Sequence, residues 1–326
     1  MPAYRAPWWL PGGHLQTIYP YFVLRQSPPP YRRERWETPD GDFIDLDWVA
    51  GAPDPAPLVA LFHGLEGGSG SHYAAALMRA VARRLWRGVA VHFRGCSGEP
   101  NRLPRAYHSG DAEEINWILR RLRALDPAVP LFAAGVSLGG NALLKWLGRE
   151  QGSACGVIDA AAAISSPVDL MRAGDLLSSG VNRLYGNNFL RTLRRKSLEK
   201  LKRLPAPYDA RAVRSARTLR AFDNVVTAPL HGFRDTDDYW TRASSKPDLR
   251  RIAVPTLIVH ARNDPFLPGR YLPGSDEVSA SVTLDYPRGG GHTGFASGPF
   301  PGNLDWLPAR LLSFFSDKIK AAAESG

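Results

Sequence analysis

An α/β fold, with a mostly parallel sheet and helices on both of its faces, is what this sequence predicts. Three observations carry that reading. The runs "LVALFHG", "GVAVHFRG", "LFAAGVS" and "PTLIVHARND" are short, continuous and apolar, as strands buried on both faces must be. Stretches of helical periodicity separate them, and that alternation builds parallel sheets. Residues suited to catalysis then follow several strands directly, where the carboxyl ends of such a sheet gather reactive groups.

The elements follow in order. "RRERWETPDGDFIDLDWV" reads as a hairpin whose alternating runs flank Pro39, Asp40, Gly41 and Asp42, which is turn chemistry and argues for an antiparallel edge. A proline-rich break at 53–57 precedes "LVALFHG", and residues 72–86 predict a helix with Ala, Leu, Met and Val on one side. "GVAVHFRG" is the next strand. Ser109 is the expected N-cap of the helix after it, with Asp111, Glu113 and Glu114 in the first turn, where carboxylates favour the positive end of the dipole. Ile115, Ile118, Leu119, Leu122 and Leu125 form its apolar stripe. "LFAAGVS" predicts a strand and 138–150 a helix, "IDAAAAISSP" a weaker strand, "PTLIVHARND" a strong one and "SVTLDYP" the last, before a C-terminal helix over about 303–322. Between 167 and 250 the alternation lapses, and a helical cap inserted over the strand ends is expected there.

Composition bounds the rest. The 326 residues are 44% hydrophobic, without an internal repeat or a linker long enough to separate two units, so a single domain over 1–326 is expected. Cys96 and Cys155 make no disulfide framework and suggest a reducing compartment and small buried or half-buried thiols. Near the N-terminus a signal-like apolar stretch is missing, and nothing approaches 18 consecutive apolar residues, so a soluble, cytoplasmic protein is expected. Net charge is +10, and ten Lys or Arg against two acids lie between Arg191 and Arg217. The basic character therefore belongs to one segment rather than to the fold.

Gly135-Val136-Ser137-Leu138-Gly139 fits G-x-S-x-G between a strand and a helix, the setting of a nucleophile elbow. The glycines leave room for a strained turn that lifts Ser137 Oγ above the sheet, and the Leu138 N–H at the helix start is placed for an oxyanion. A free serine is a poor nucleophile; it needs a base, and the base needs an orienting carboxylate. In this architecture both come later, acid before histidine. Two histidines follow the insertion. His260 lies inside a strand and is expected to pack or hydrogen-bond there; His292, in the glycine-flanked loop "GGGHTGF", is the expected base. Asp264 directly follows "TLIVHARN" and is the expected acid, with Asp169 after "AAISSPVD" as second choice and Asp285 too deep in its strand. A second oxyanion donor is expected at the Leu65 N–H in "LFHGLEGGSGSHY". His63 and His72 lack the spacing of metal ligands, and Cys96 has no visible activating partner.

Eight stretches in order, "GGHLQT", "DGDFIDLDW", "FHGLEGGSGSHY", "FRGCSGEPNRLPRAYHSGD", "GVSLGGN", "FDNVVTAPLHGF", "ARNDPF" and "GGGHTGF", resemble the α/β-hydrolase superfamily and, more narrowly, its YheT-like branch, over nearly the whole chain. The resemblance implies Ser137, Asp264 and His292 as the triad, hydrolysis of carboxylic esters including short-acyl esters and acyl lipids, and no cofactor. The basic insertion matches the family pattern less closely. A thioesterase, amidase or acyltransferase would use the same triad, since the acyl half of the reaction is shared.

A reading from another class rests on "LRTLRRKSLEKLKRL". Leu190, Leu193, Leu201 and Leu204 fall on one helical stripe with the charges elsewhere, so segment 190–217 is either a basic amphipathic helix for an anionic membrane surface or a cap helix with inward leucines and solvated charges. The second is favoured. Nucleic acid is not expected as a partner, because aromatic residues do not interleave the patch. "PWWLPGGHLQT" reads as a packed strap or part of a substrate entrance, with Trp8 and Trp9 expected to pack.

Overall fold

The apolar runs become strands of one sheet. The computed structural model describes residues 2–325, with β1 (Tyr31–Glu37), β2 (Phe43–Val49), β3 (Leu58–Phe62), β4 (Arg87–His92), β5 (Leu131–Val136), β6 (Ala160–Ile164), β7 (Thr256–Val259) and β8 (Val282–Asp285) in the spatial order β1-β2-β4-β3-β5-β6-β7-β8. β2 runs antiparallel to β1, as the opening hairpin requires, and also to β4. All pairs from β4 through β8 are parallel.

Pleating sorts the side chains between two apolar layers. Leu58, Ala60 and Phe62 of β3 face one layer with Leu131 and Ala133 of β5. Val59 and Leu61 face the other with Phe132, Ala134 and Val136. Around the sheet lie α1 (Gly13–Phe22), α2 (His72–Arg83), α3 (Ala112–Leu125), α4 (Leu138–Glu150), α5 (Leu170–Leu177), α6 (Arg183–Leu201), α7 (Ala210–Ser215), α8 (Leu219–Phe222), α9 (Ala228–Leu230), α10 (Thr236–Ala243) and α11 (Trp306–Ser325). α3 and α4 cover the first layer, and α2 and α11 the second.

Between β6 and β7 the chain passes through α5–α10 and adds no strand to the sheet. A π-helical turn, Asp223–Thr227, joins α8 to α9. Leu190, Val213, Phe222 and Val226 form a small apolar core of this segment's own.

Several local expectations need correction. Asp111, not Ser109, caps α3, its carboxylate accepting the Glu114 N–H at 3.3 Å. Ser109 instead receives the Asn141 amide on its carbonyl and hydroxyl. Leu125 is exposed, because α3 ends there and its last turn overhangs the core that Leu122 closes. α2 stops at Arg83 rather than 86, since Leu85 turns the chain with φ 56°. Cys155 is exposed, not buried. Trp8 is 93% exposed, whereas Trp9 packs on Tyr19 and Phe300. α1 itself was not anticipated, since Pro20 interrupts its pattern.

Candidate active site

β5 ends at Val136 and α4 begins at Leu138, so Ser137 alone makes the turn between them. Its backbone sits at φ 53° and ψ −118°. Such a conformation costs a non-glycine residue on the order of 1–3 kcal/mol and persists only where its surroundings over-determine it. Here the Ser137 N–H donates to the Ile164 carbonyl at 2.8 Å and its carbonyl accepts the Asn141 N–H at 3.0 Å. Gly139 explains the second glycine of the motif. A Cβ there would lie 2.5 Å from the Phe62 and His63 carbonyl oxygens, so only glycine lets α4 start against the end of β3.

His292 stands in the loop after β8. Its Nε2 is 3.0 Å from Ser137 Oγ and its Nδ1 is 2.9 Å from Asp264 Oδ2. Asp264, in the loop after β7, is fully buried. Its Oδ1 accepts the Phe266 N–H at 2.8 Å. His260 Nε2 lies 3.2 Å from Asp264 Oδ2 and 3.1 Å from the Leu267 carbonyl. A carbonyl only accepts, so that nitrogen carries the proton and donates to the carboxylate as well. Burial by itself would raise the Asp264 carboxyl, but His292 and His260 outweigh it and hold it well below the usual carboxylate range. The Phe266 ring stacks on His292 with centroids 4.0 Å apart.

The other two acids considered lie elsewhere. Asp169 caps α5, accepting the Arg172 N–H at 3.1 Å, and Asp285 pairs with Arg310 at 2.7 Å.

Sequence reasoning missed the role of α1. Thr17 Oγ1 accepts the His292 N–H at 2.8 Å and donates to the Gly13 carbonyl at 2.7 Å. Gln16 Oε1 accepts from Asn263 Nδ2 at 2.9 Å and from the Gly290 N–H at 2.7 Å, while Asn263 Oδ1 accepts the Gly291 N–H at 3.0 Å. The "QT" of "GGHLQT" thus fastens the Asp264 loop to the His292 loop. A Cβ on Gly294 would collide with the Gln16 carbonyl, which accounts for a glycine of "GGGHTGF". The available signal was a polar pair embedded in an otherwise apolar, aromatic segment.

The loop after β3 is clamped on both sides of Leu65. Tyr73 Oη accepts the Gly64 N–H at 2.9 Å and Tyr107 Oη the Glu66 N–H at 2.8 Å. His63 Nδ1 donates to the Gly64 carbonyl at 2.7 Å, and its Nε2 accepts the Phe93 N–H at 3.1 Å. Burial lowers His63 to about 3, so this neutral ring uses both nitrogens on the backbone. Between the clamps, the Leu65 N–H has no protein partner among the described residues, and neither does the Leu138 N–H. Both residues border the cavity onto which Ser137 opens.

That cavity measures about 690 Å³. Leu170, Leu177, Phe189, Leu193, Phe222 and Trp240 supply apolar wall. Here the reading of the basic segment needs adjustment. Leu190 is buried and Leu193 half-buried, so these two leucines turn inward as favoured, but Lys196 and Lys200 are half-buried beside the cavity rather than fully solvated. Lys196 Nζ is 2.9 Å from Glu66 Oε2. Lys200 Nζ donates to the Pro104 and Arg105 carbonyls at 3.0 Å each, and burial lowers it to about 8. Cys96 does have a cation beside it, Lys196 at 3.8 Å, yet burial dominates and pushes its thiol up to about 12.

The model of the alpha/beta hydrolase fold matches residues 57–299. The chain is 38% identical over 315 residues to Escherichia coli (strain K12) YheT, which carries the name of an esterase, covering 94% of this chain and 91% of that one. The chain belongs to the α/β-hydrolase family, within its YheT-like esterase branch. This hydrolase is also 29% identical over 327 residues to human phospholipase ABHD3, covering 98% and 78% of the two chains. It is 29% identical over 299 residues to the monoacylglycerol lipase of Saccharomyces cerevisiae, covering 88% and 64%. Among solved structures, Est1E from Butyrivibrio proteoclasticus superposes with a TM-score of 0.55 at 14% identity, covering 88% of this hydrolase and 99% of that chain, a likeness of fold. No helix among its described residues is long and apolar enough to cross a membrane.

Proposed function

We propose that this hydrolase cleaves short- to medium-chain carboxylic esters, acyl lipids among them, through an acyl-enzyme on Ser137. The observation that carries the reading is the unbroken line of contacts from Ser137 Oγ through the His292 ring to Asp264. His292 Nε2 takes the Ser137 proton as Oγ attacks the ester carbonyl. Asp264 keeps the Nδ1–H tautomer in place and stabilises the imidazolium. The Leu65 and Leu138 N–H groups receive the oxyanion, and the positive end of α4 adds to them. His292 then gives its proton to the departing alcohol. Water enters, His292 acts as base again, and the acid leaves.

The segment over 167–250 acts as the cap that supplies the apolar wall of the cavity, and acyl preference is set there rather than at the elbow. A 690 Å³ cavity is of a size that holds a small ligand almost whole. The test is hydrolysis of p-nitrophenyl esters of increasing acyl length beside thioester and amide panels. Ester turnover that is lost in Ser137→Ala and falls off at long acyl chains supports the reading; faster thioester or amide turnover would redirect it.

A further inference from the structure

α1 is amphipathic the wrong way round for a helix of a lone globule. Gln16, Thr17 and Pro20 face inward, while Leu15, Ile18 and Phe22, spaced along one helical face, point to solvent. Nine of the eleven exposed large apolar side chains among the described residues belong to α1, its flanks, or segments that touch them. Trp8 precedes the helix. Phe300 packs on Trp9, which packs on Tyr19. Leu184, 71% exposed, adjoins Tyr185, whose hydroxyl is 3.1 Å from His14 Nδ1. Exposed apolar side chains gathered on neighbouring segments in this way mark an interaction site.

Charge says what covers it. The chain averages one acid in about ten residues, yet residues 1–33, 176–198 and 286–304, the three segments that build this face, contain none. Arg5, Arg25 and Arg183 are exposed and form no ion pair among the described residues. A second copy would bring the same positive, acid-free face and be repelled. An anionic bilayer supplies both of the required complements, an apolar layer for the Leu, Ile and Phe side chains and negative headgroups for the arginines. The face also lies on the outer side of the active site. Thr17 holds the His292 backbone, and Tyr185 packs on Phe266, which stacks on His292 and lines the cavity.

We propose that α1, with Trp8, Phe300 and the start of α6, docks this hydrolase on an anionic lipid surface. This differs from the segment 190–217 considered from sequence, whose leucines turn inward. It deepens the esterase reading, since it brings the cavity to acyl lipids, and rests on that reading only for its purpose. The experiment is sedimentation of the full chain with vesicles of phosphatidylcholine alone and of phosphatidylcholine mixed equally with phosphatidylglycerol. The wild type is expected to sediment with the mixed vesicles and at least tenfold less with the neutral ones, and to be released by high salt. Leu15→Ser/Ile18→Ser/Phe22→Ser and Arg25→Glu/Arg183→Glu are expected to stay in the supernatant while hydrolysing p-nitrophenyl acetate as the wild type does. Equal recovery of the wild type from both vesicles, or sedimentation of the triple variant at the wild-type level, would overturn the proposal. So would a wild-type dimer that the triple variant dissociates, which would make this a self-association face. Vesicle binding without hydrolysis of the soluble ester would instead sink the esterase reading alone.

Discussion

Asp264 holds the site together at the scale of single residues. Its carboxylate receives three donors, the Phe266 N–H, His260 and His292. Asp264→Asn puts an amide where His292 needs an acceptor, favouring the wrong tautomer. We expect kcat to fall by ~10³–10⁴ with KM nearly unchanged, measured by steady-state kinetics on p-nitrophenyl acetate. Thr17→Val removes the acceptor of the buried His292 N–H. Leaving such a donor unpaired costs about 1–3 kcal/mol, so the variant should melt lower and lose kcat although Thr17 touches no substrate; unchanged kinetics would show that α1 does not position His292. Asp223 offers a pH test. Burial raises its carboxyl to about 6, against which hydrogen bonds from Thr227 and Trp240 act. The folded chain therefore keeps this proton to higher pH than the unfolded chain does. Its contribution to stability is full below about pH 4 and is lost as pH rises through about 6. Asp223→Asn should then melt higher than wild type at pH 8 and equally at pH 4, by differential scanning calorimetry.

Elements divide into those written in local pattern and those written in contacts. β3, β5 and β7 read clearly because strands buried on both faces must be apolar throughout, and the residues after them were legible for the same topological reason. α1 was not legible. It is stabilised by what its polar face holds, Gln16 and Thr17 on two distant loops, and no local periodicity records a contact across more than 240 residues. The capping of α3 turned on which of two nearby residues met the free N–H groups, and Ser109 was taken up by Asn141 instead. Lys196 and Lys200 read as solvated because a cap helix has one inward face in sequence, whereas α6 turns one side to its own small core and another to the cavity. Gly139 belongs to this scale too. Gly139→Ala forces α4 away from the β3 carbonyls, an overpacking worth about 1–3 kcal/mol. A lower melting temperature together with lost ester turnover is expected; a wild-type melt would show that the elbow has slack.

Across the whole molecule, charge and apolar surface are distributed by function rather than averaged. The sheet places Ser137, Asp264 and His292 after the carboxyl ends of three strands, residues of the helical segment over 167–250 line part of the cavity beside Ser137, and the acid-free apolar face is built by α1, the start of α6 and the His292 loop. The sequence order of serine, aspartate and histidine was legible, and the fold brings Ser137, Asp264 and His292 into one line of contacts. The cavity's shape and its two lysines were not legible, because they arise from how α6 lies over β-strand ends far from it in the chain. Whether Ser137 is the nucleophile can be read from a fluorophosphonate. After labelling, mass spectrometry of the proteolysed chain should find the phosphonate on Ser137 and on no other residue, and Ser137→Ala should remain unlabelled. An adduct on another residue, or equal labelling of Ser137→Ala, would show that Ser137 is not the nucleophile.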